Sequence, residues 1–213
     1  MRLKSALRRG VAAAVIAGIV VSSGIPAYAA PWNIADGDIT VKAGDAEGTN
    51  WVSQGEKENV DDTDTVITGK SDKNTVTIDT SKGNVDVTFD DLKIDVSGKT
   101  EVDGSGDGPA RESKAAVTVQ GDGDATIELD GKNELKSGSY NAGLEKNKQE
   151  SKGTLTIKDD KGKDGSLTAE GGEGGAGIGG GAEKTGSSIT IQGGAVKAVG
   201  GSNAAGIGDG AGR

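Results

Sequence analysis

"SLTAEGGEGGAGIGGGA" (166–182) and "AVKAVGGSNAAGIGDGA" (195–211) are two copies of one segment, offset by 29 residues. Ala169 falls on Ala198, Gly171 and Gly172 fall on Gly200 and Gly201, and Ala176-Gly177-Ile178-Gly179 falls on Ala205-Gly206-Ile207-Gly208. Before each copy stands a short stretch, "TLTI" (154–157) and "SITI" (188–191), in which aliphatic and hydroxyl residues alternate with the period of a strand buried on one face. The same glycines invite a dinucleotide reading, since Gly175, Gly177 and Gly180 keep the G-x-G-x-x-G spacing. That motif needs a strand directly before the glycines and a helix directly after. Here "AEKTGSSITI" (182–191) follows, a turn and another strand. The glycines are therefore read as corner residues that turn through φ > 0 without steric cost.

Older copies precede these two. In "ATIELDGKNELKSGSYNAGLE" (125–145) the same order returns as "TIEL", "ELKS" and "NAGL". Further back "VDVTF" (85–89), "KIDVS" (93–97) and "AAVTV" (115–119) form another set, and "DITV" (38–41), "VITG" (66–69) and "NTVTI" (74–78) form a weaker first one. About five units of roughly 28 to 40 residues, each with three short strands, signal a solenoid. The expected fold is all-β: a parallel β-helix, a three-sided solenoid of about five coils, with each strand lying about 4.8 Å from its equivalent one coil away. Its core is predicted to be three ladders. They are Val87, Ile127, Leu155 and Ile189 on the first side, Ile94, Leu135, Leu167 and Val196 on the second, and Val117, Leu144, Ile178 and Ile207 on the third.

Residues 1–29 read as a secretory signal, with Arg2, Lys4, Arg8 and Arg9 before the apolar run "VAAAVIAGIVV" and Ala27-Tyr28-Ala29 as the cleavage site. Cleavage before Ala30 is expected; one residue later it would leave Pro31 first. Arg8 and Arg9 also permit a twin-arginine route. Residues 30–73 are assigned to an N-terminal cap and irregular first coil, and 74–213 to the β-helix repeats. With no cysteine to lipidate and no apolar segment near Arg213, the mature protein is expected to be secreted and without a membrane span.

Losing the signal leaves 20 basic against 33 acidic residues, a formal charge of −13. An acidic chain whose only arginines beyond the signal are Arg111 and Arg213 is no nucleic-acid binder. The absence of histidine and cysteine removes Ser-His and Cys-His nucleophile pairs, thiolate and imidazole metal ligands, and disulfides.

The "AGIGGG" and "AGIGDG" segments, placed after "TLTI…SLTA" and "SITI…VKAV", resemble the glycine-rich repeats of secreted bacterial right-handed parallel β-helix proteins, adhesin-like or carbohydrate-binding. The resemblance is close over 153–212 and looser over 36–145. It implies a right-handed coil and an extracellular role, but carries over no catalytic or binding residue. Stopping at Arg213, directly after an "AGIGDG" segment, departs from the longer arrays, and an uncapped last coil is expected to contact something else or to mark a shortened copy.

No cofactor is assigned. The acidic clusters "DDTD" (61–64), "DGSGDG" (103–108), "GDGD" (121–124) and "DDKGKDG" (159–165) leave calcium open, yet none matches an EF-hand loop and Asp-Gly is also ordinary turn chemistry. Parallel β-helices include polysaccharide lyases and glycoside hydrolases, and Asp90 with Asp91, or Asp122 with Asp124, offer paired carboxylates. Nothing singles those pairs out, so no catalytic residue is assigned and the protein is read as no enzyme. Trp51 and Tyr140 are candidates for stacking on a sugar ring, although Trp32 and Trp51 fit better as covers of the first coil. A flat hydroxyl face (Thr126, Thr154, Thr156, Ser188, Thr190) is interrupted by Asp86, Glu128 and Lys158 and is set aside. The reading is a secreted, non-catalytic surface or matrix module whose partners are extracellular polysaccharide or cell-surface components. The alternative is a polysaccharide-active enzyme of the same fold.

Overall fold

The computed structural model describes residues 31–98, 113–162 and 164–212. The signal segment 1–29, the cluster at 103–108, Arg111, Lys163 and Arg213 lie outside the described residues. What is described is all-β, with one short 3-10 turn at Ile34–Asp36 and no α-helix, and its parallel strands form curled sheets.

Parallel pairing follows from the repeat, because each short strand exposes backbone on both edges and finds the same pattern one unit away. Three stacks result. The first takes residues 85–90, then Ala125–Asp130, Leu155–Lys158 and Ile189–Ile191. The second takes residues 93–95, then Lys132–Lys136, Ser166–Glu170 and Ala195–Val199. The third runs Ile39–Ala43, Val76–Asp79, Val117–Gln120, Leu144–Glu145, Ile178–Gly179 and Ile207–Gly208.

The third ladder stands as expected: Val117, Leu144, Ile178 and Ile207 are register partners, and Val76 and Ile39 extend it. In the other two the outer steps hold, Val87 on Ile127 and Leu155 on Ile189, Ile94 on Leu135 and Leu167 on Val196, and the middle step of each is corrected by two residues. Leu155 stacks on Ala125, while Ile127 meets Ile157. In the second stack Leu135 meets Ala169, and Leu167 lies beside Asn133. A slip of one residue would have turned every side chain to the opposite face, whereas a slip of two keeps the same face inward. Hydrophobic alternation is blind to it.

"VDVTF" and "KIDVS" are likewise one continuous strand, Val85–Asp95, rather than two. The bend between them is made inside the strand at Asp91, whose φ is +50°. Its Oδ1 accepts the Lys132 N–H one strand away, and the Asn133 Oδ1 accepts the neighbouring Leu92 N–H. Asn133 is buried and donates through Nδ2 to the carbonyls of Asp130 and Ser166, so one amide ties its own strand to three others at this corner.

Acidic residues serve the turns in the same way. Asp38 accepts from Thr75 N–H and Asp124 from Thr154 N–H, each holding one strand entry to the next, and Asp209, just past Ile207–Gly208, accepts from Gly186 N–H. The long segment after Ile39–Ala43 folds into two antiparallel strands, Asn50–Gln54 and Lys57–Asp62, added to the edge of the third stack. Trp32 is buried at this end, with Nε1 donating to Asp62 at 2.7 Å.

Aliphatic side chains on the inner faces are buried, including Leu144, Leu155, Leu167 and Ile178. On the outermost described strands Ile207 is 47% exposed and Ile189 and Val196 are only partly buried, because among the described residues no further rung lies on them. Lys146 breaks the pattern. It follows Leu144 by two and so shares its inward face; it is fully buried, and Nζ donates to the Ser151 carbonyl at 3.0 Å. Burial holds its ammonium below the usual lysine range, against the opposing pull of Asp124. Beside it Glu145 is pushed up by burial, against hydrogen bonds from the Ala142 N–H and Asn147 Nδ2.

A depressed lysine binds its proton more tightly in the unfolded chain. Its penalty on folding is largest below the folded pKa and vanishes as pH rises to 10.5. Lys146→Met is therefore expected to raise the unfolding free energy by about 1–3 kcal/mol at neutral pH, with the gain shrinking towards pH 10.5. Urea denaturation of both proteins across that range checks the size and the sign.

Candidate functional site

The outer face of the first stack forms the floor of a polar groove of about 420 Å³. Period-two alternation points Asp86, Thr88, Thr126, Glu128 and Lys158 outward from strands whose alternate residues are core. Register then sets Asp86 beside Thr126 and places Glu128 between Thr88 and Lys158. The antiparallel segment supplies one wall, through Gly48, Asn50, Thr63, Asp64 and Thr65, and Lys161 supplies another.

The wall is anchored by Asn50, whose buried Nδ2 donates to Thr65 Oγ1 at 2.9 Å and to the Asp86 carbonyl at 2.7 Å. The far side is anchored by Glu128. Its Oε1 accepts the N–H groups of Asp160 and Lys161, both at 2.7 Å, and its Oε2 lies 3.7 Å from Lys158 Nζ. Glu128 is thus a positioning group for the turn that carries Lys161, and Lys161 Nζ reaches Asp64 Oδ1 at 3.4 Å. Lys158 is raised above the usual lysine range, chiefly by its hydrogen bond to Asp160.

The groove thus presents threonine hydroxyls, an exposed Asp86 carboxylate and lysine ammonium groups, a donor and acceptor set suited to a hydroxyl-rich ligand. Glu128 and Asp64 are each paired with a lysine, Glu128 buried and Asp64 exposed at the wall, while Asp86 is exposed on the floor.

The carboxylate pairs named from sequence are separated by their duties. Asp122 pairs with Lys152 at 3.0 Å, while Asp124 accepts the Thr154 N–H. Asp91 is engaged with Lys132 N–H, and Asp90 lies in register with Asp130. Burial, then the like charges of Asp130 and Asp91, push the Asp90 carboxyl above its usual range. In the 61–64 cluster Asp61 accepts from Trp51 Nε1 and Asp62 from Trp32 Nε1. Among the described residues no group of three or more acidic, histidine or cysteine side chains is placed to hold a metal ion.

The two tryptophans are covered by cations. Lys57 Nζ lies 5.3 Å from the centre of the Trp32 ring, and Lys82 Nζ lies 4.7 Å from that of Trp51. Tyr140 is different, being 64% exposed. Asn50, Asn133 and Glu128, which organise the groove and its corner, carry no signal in the sequence beyond polar residues inside alternating stretches.

No protein-family model matches the chain, and no curated protein or solved structure matches it either. Among the described residues no helix is long and apolar enough to cross a membrane.

Proposed function

We propose that the chain is a right-handed, three-sided parallel β-helix, and that it acts as a secreted, non-catalytic surface or matrix module, adhesin-like and binding polysaccharide. The three stacks of parallel strands support the solenoid, and parallel connections within one sheet are almost always right-handed. The signal-like residues 1–29 and the resemblance of 153–212 to secreted glycine-rich β-helix repeats support the extracellular role.

The observation that carries the binding function is the first-stack groove: an open polar surface held rigid by strand register and by Asn50 and Glu128, with hydroxyl, carboxylate and ammonium groups facing out. Sugar hydroxyls both donate and accept, and such a surface answers both needs. The test is retention of the purified chain on a panel of immobilised polysaccharides, with assay of the eluate for new reducing ends and unsaturated products. Retention on at least one without products is expected. Asp86→Ala, at an exposed floor position, is expected to weaken that retention roughly ten-fold, the loss of one hydrogen bond to a charged group.

A polysaccharide-active enzyme is the second reading, favoured only by the raised carboxyl of Asp90, the kind of perturbation a general acid shows. Product formation that disappears in Asp90→Asn would establish it in place of the first.

A further inference from the structure

Three turns stand at the same corner on successive strands of the third stack. Residues 138–141, 172–175 and 201–204 are each closed by a hydrogen bond from the fourth N–H to the first carbonyl, at 3.3, 2.9 and 3.1 Å. The register of Leu144 on Ile178 and of Ile178 on Ile207 makes their third residues equivalent: Tyr140, Gly174 and Asn203. All three occupy the left-handed region, with φ of +68°, +75° and +61°.

Glycine and asparagine are the residues this position favours. A tyrosine there is strained, since its Cβ crowds the backbone and its ring recovers nothing from the core. Packing does not explain the choice, because the side chain is 64% exposed. Nor does the turn need it: the Tyr140 N–H donates to the Glu173 carbonyl and its own carbonyl accepts the Ala182 N–H, bonds any residue would make. Strain kept at one of three equivalent sites, by a side chain held out to solvent, marks a functional position.

We infer that Tyr140 is a binding residue that stacks on the apolar face of a pyranose ring. A protein partner would ask for an apolar surround, as interface anchors do. Tyr140 is flanked in sequence by the polar Ser139 and Asn141, and its backbone meets those of Glu173 and Ala182, with no large apolar residue among them. The other exposed large hydrophobics, Val60, Ile191, Val199 and Ile207, belong to strands rather than to this corner. An exposed ring with polar residues on either side in sequence, and no other exposed large hydrophobic at its corner, matches a sugar, which offers C–H groups on its face and hydroxyls at its rim. The inference rests on the polysaccharide-binding reading and adds a contact outside the groove.

The experiment compares wild type, Tyr140→Asn, Tyr140→Trp and Asp86→Ala for retention on immobilised neutral polysaccharides (β-glucan, xyloglucan, galactomannan) and on gelatin, with a melting curve for each. Tyr140→Asn is expected to raise the melting temperature by about 2–4 °C through release of strain, and to lose retention roughly ten-fold or more. Tyr140→Trp is expected to retain binding. A more stable protein that binds less is a result no purely structural role produces. Polysaccharide retention unchanged in Tyr140→Asn but lowered in Asp86→Ala overturns this inference and leaves the binding function standing. Retention of no variant on any polysaccharide overturns both, and Tyr140-dependent retention on gelatin alone replaces the sugar with a protein.

Discussion

Gly172→Ala is expected to lower the unfolding free energy by about 3 kcal/mol, a large effect for the addition of one methyl group. Gly172 is not in the left-handed region, so alanine meets no dihedral penalty there. The obstacle lies one strand away. A Cβ on Gly172 would overlap the carbonyl of Gly138 and crowd the backbone of Ser139, the turn directly beneath it. Backbone cannot swing aside as a side chain tip does. Relief comes only by lifting one turn off the other, which weakens the bonds that join them, Tyr140 N–H to Glu173 O and Gly172 N–H to Asn141 O among them.

Gly201 repeats the contact against Gly172, on the last strand of the stack, where the chain is bonded on one side and has freedom to shift. Gly201→Ala is accordingly expected to cost less. Gly98→Ala, with open space around it, is the control and should stay within about 0.5 kcal/mol of wild type. Equal midpoints for all three substitutions in urea would remove close approach as the reason for these glycines.

Leu144→Ala is expected to cost about 3 kcal/mol, the transfer of the lost side chain together with a cavity between neighbours above and below. Leu144 is fully buried with Val117 on one side and Ile178 on the other. Neither neighbour can close the gap, because each is fixed by strand pairing on both edges. Ile207→Ala removes a comparable side chain from the same ladder, but from a position already 47% exposed, and should cost under about 1 kcal/mol. The contrast measures the ladder itself. A loss for Leu144→Ala no larger than for Ile207→Ala would show that stacking across strands is not what stabilises the fold.

Much of the architecture is legible in the sequence. The offset of 29 between 166–182 and 195–211 reappears as the pairing of Ala169 with Ala198 and of Ile178 with Ile207. The third ladder is legible in full from Val117 to Ile207 because its strands are two to four residues long and glycines surround the last three of them. The candidate site was less legible. Trp51 and Tyr140 look alike as exposed aromatics in polar segments, yet one ring sits under Lys82 and the other is bare. The groove is not legible in the sequence, since its wall and floor are separated along the chain and meet only in space, through Asn50 with Asp86 and Thr65 with Thr88.

Period and composition are enough to show short strands in repeating sets, the face of each that turns inward, and the absence of histidine and cysteine chemistry. Those are properties of period and composition, which need no partner to be read. Tertiary structure alone decided the two-residue register of the first and second stacks, the merging of Val85–Asp95 into one strand, the burial of Lys146, and the strain at Tyr140. Each depends on how long the intervening turns are in space and on which backbone lies beneath. A pattern that repeats every two residues carries no information about a shift of two, so the choice passes to the turns that join the strands.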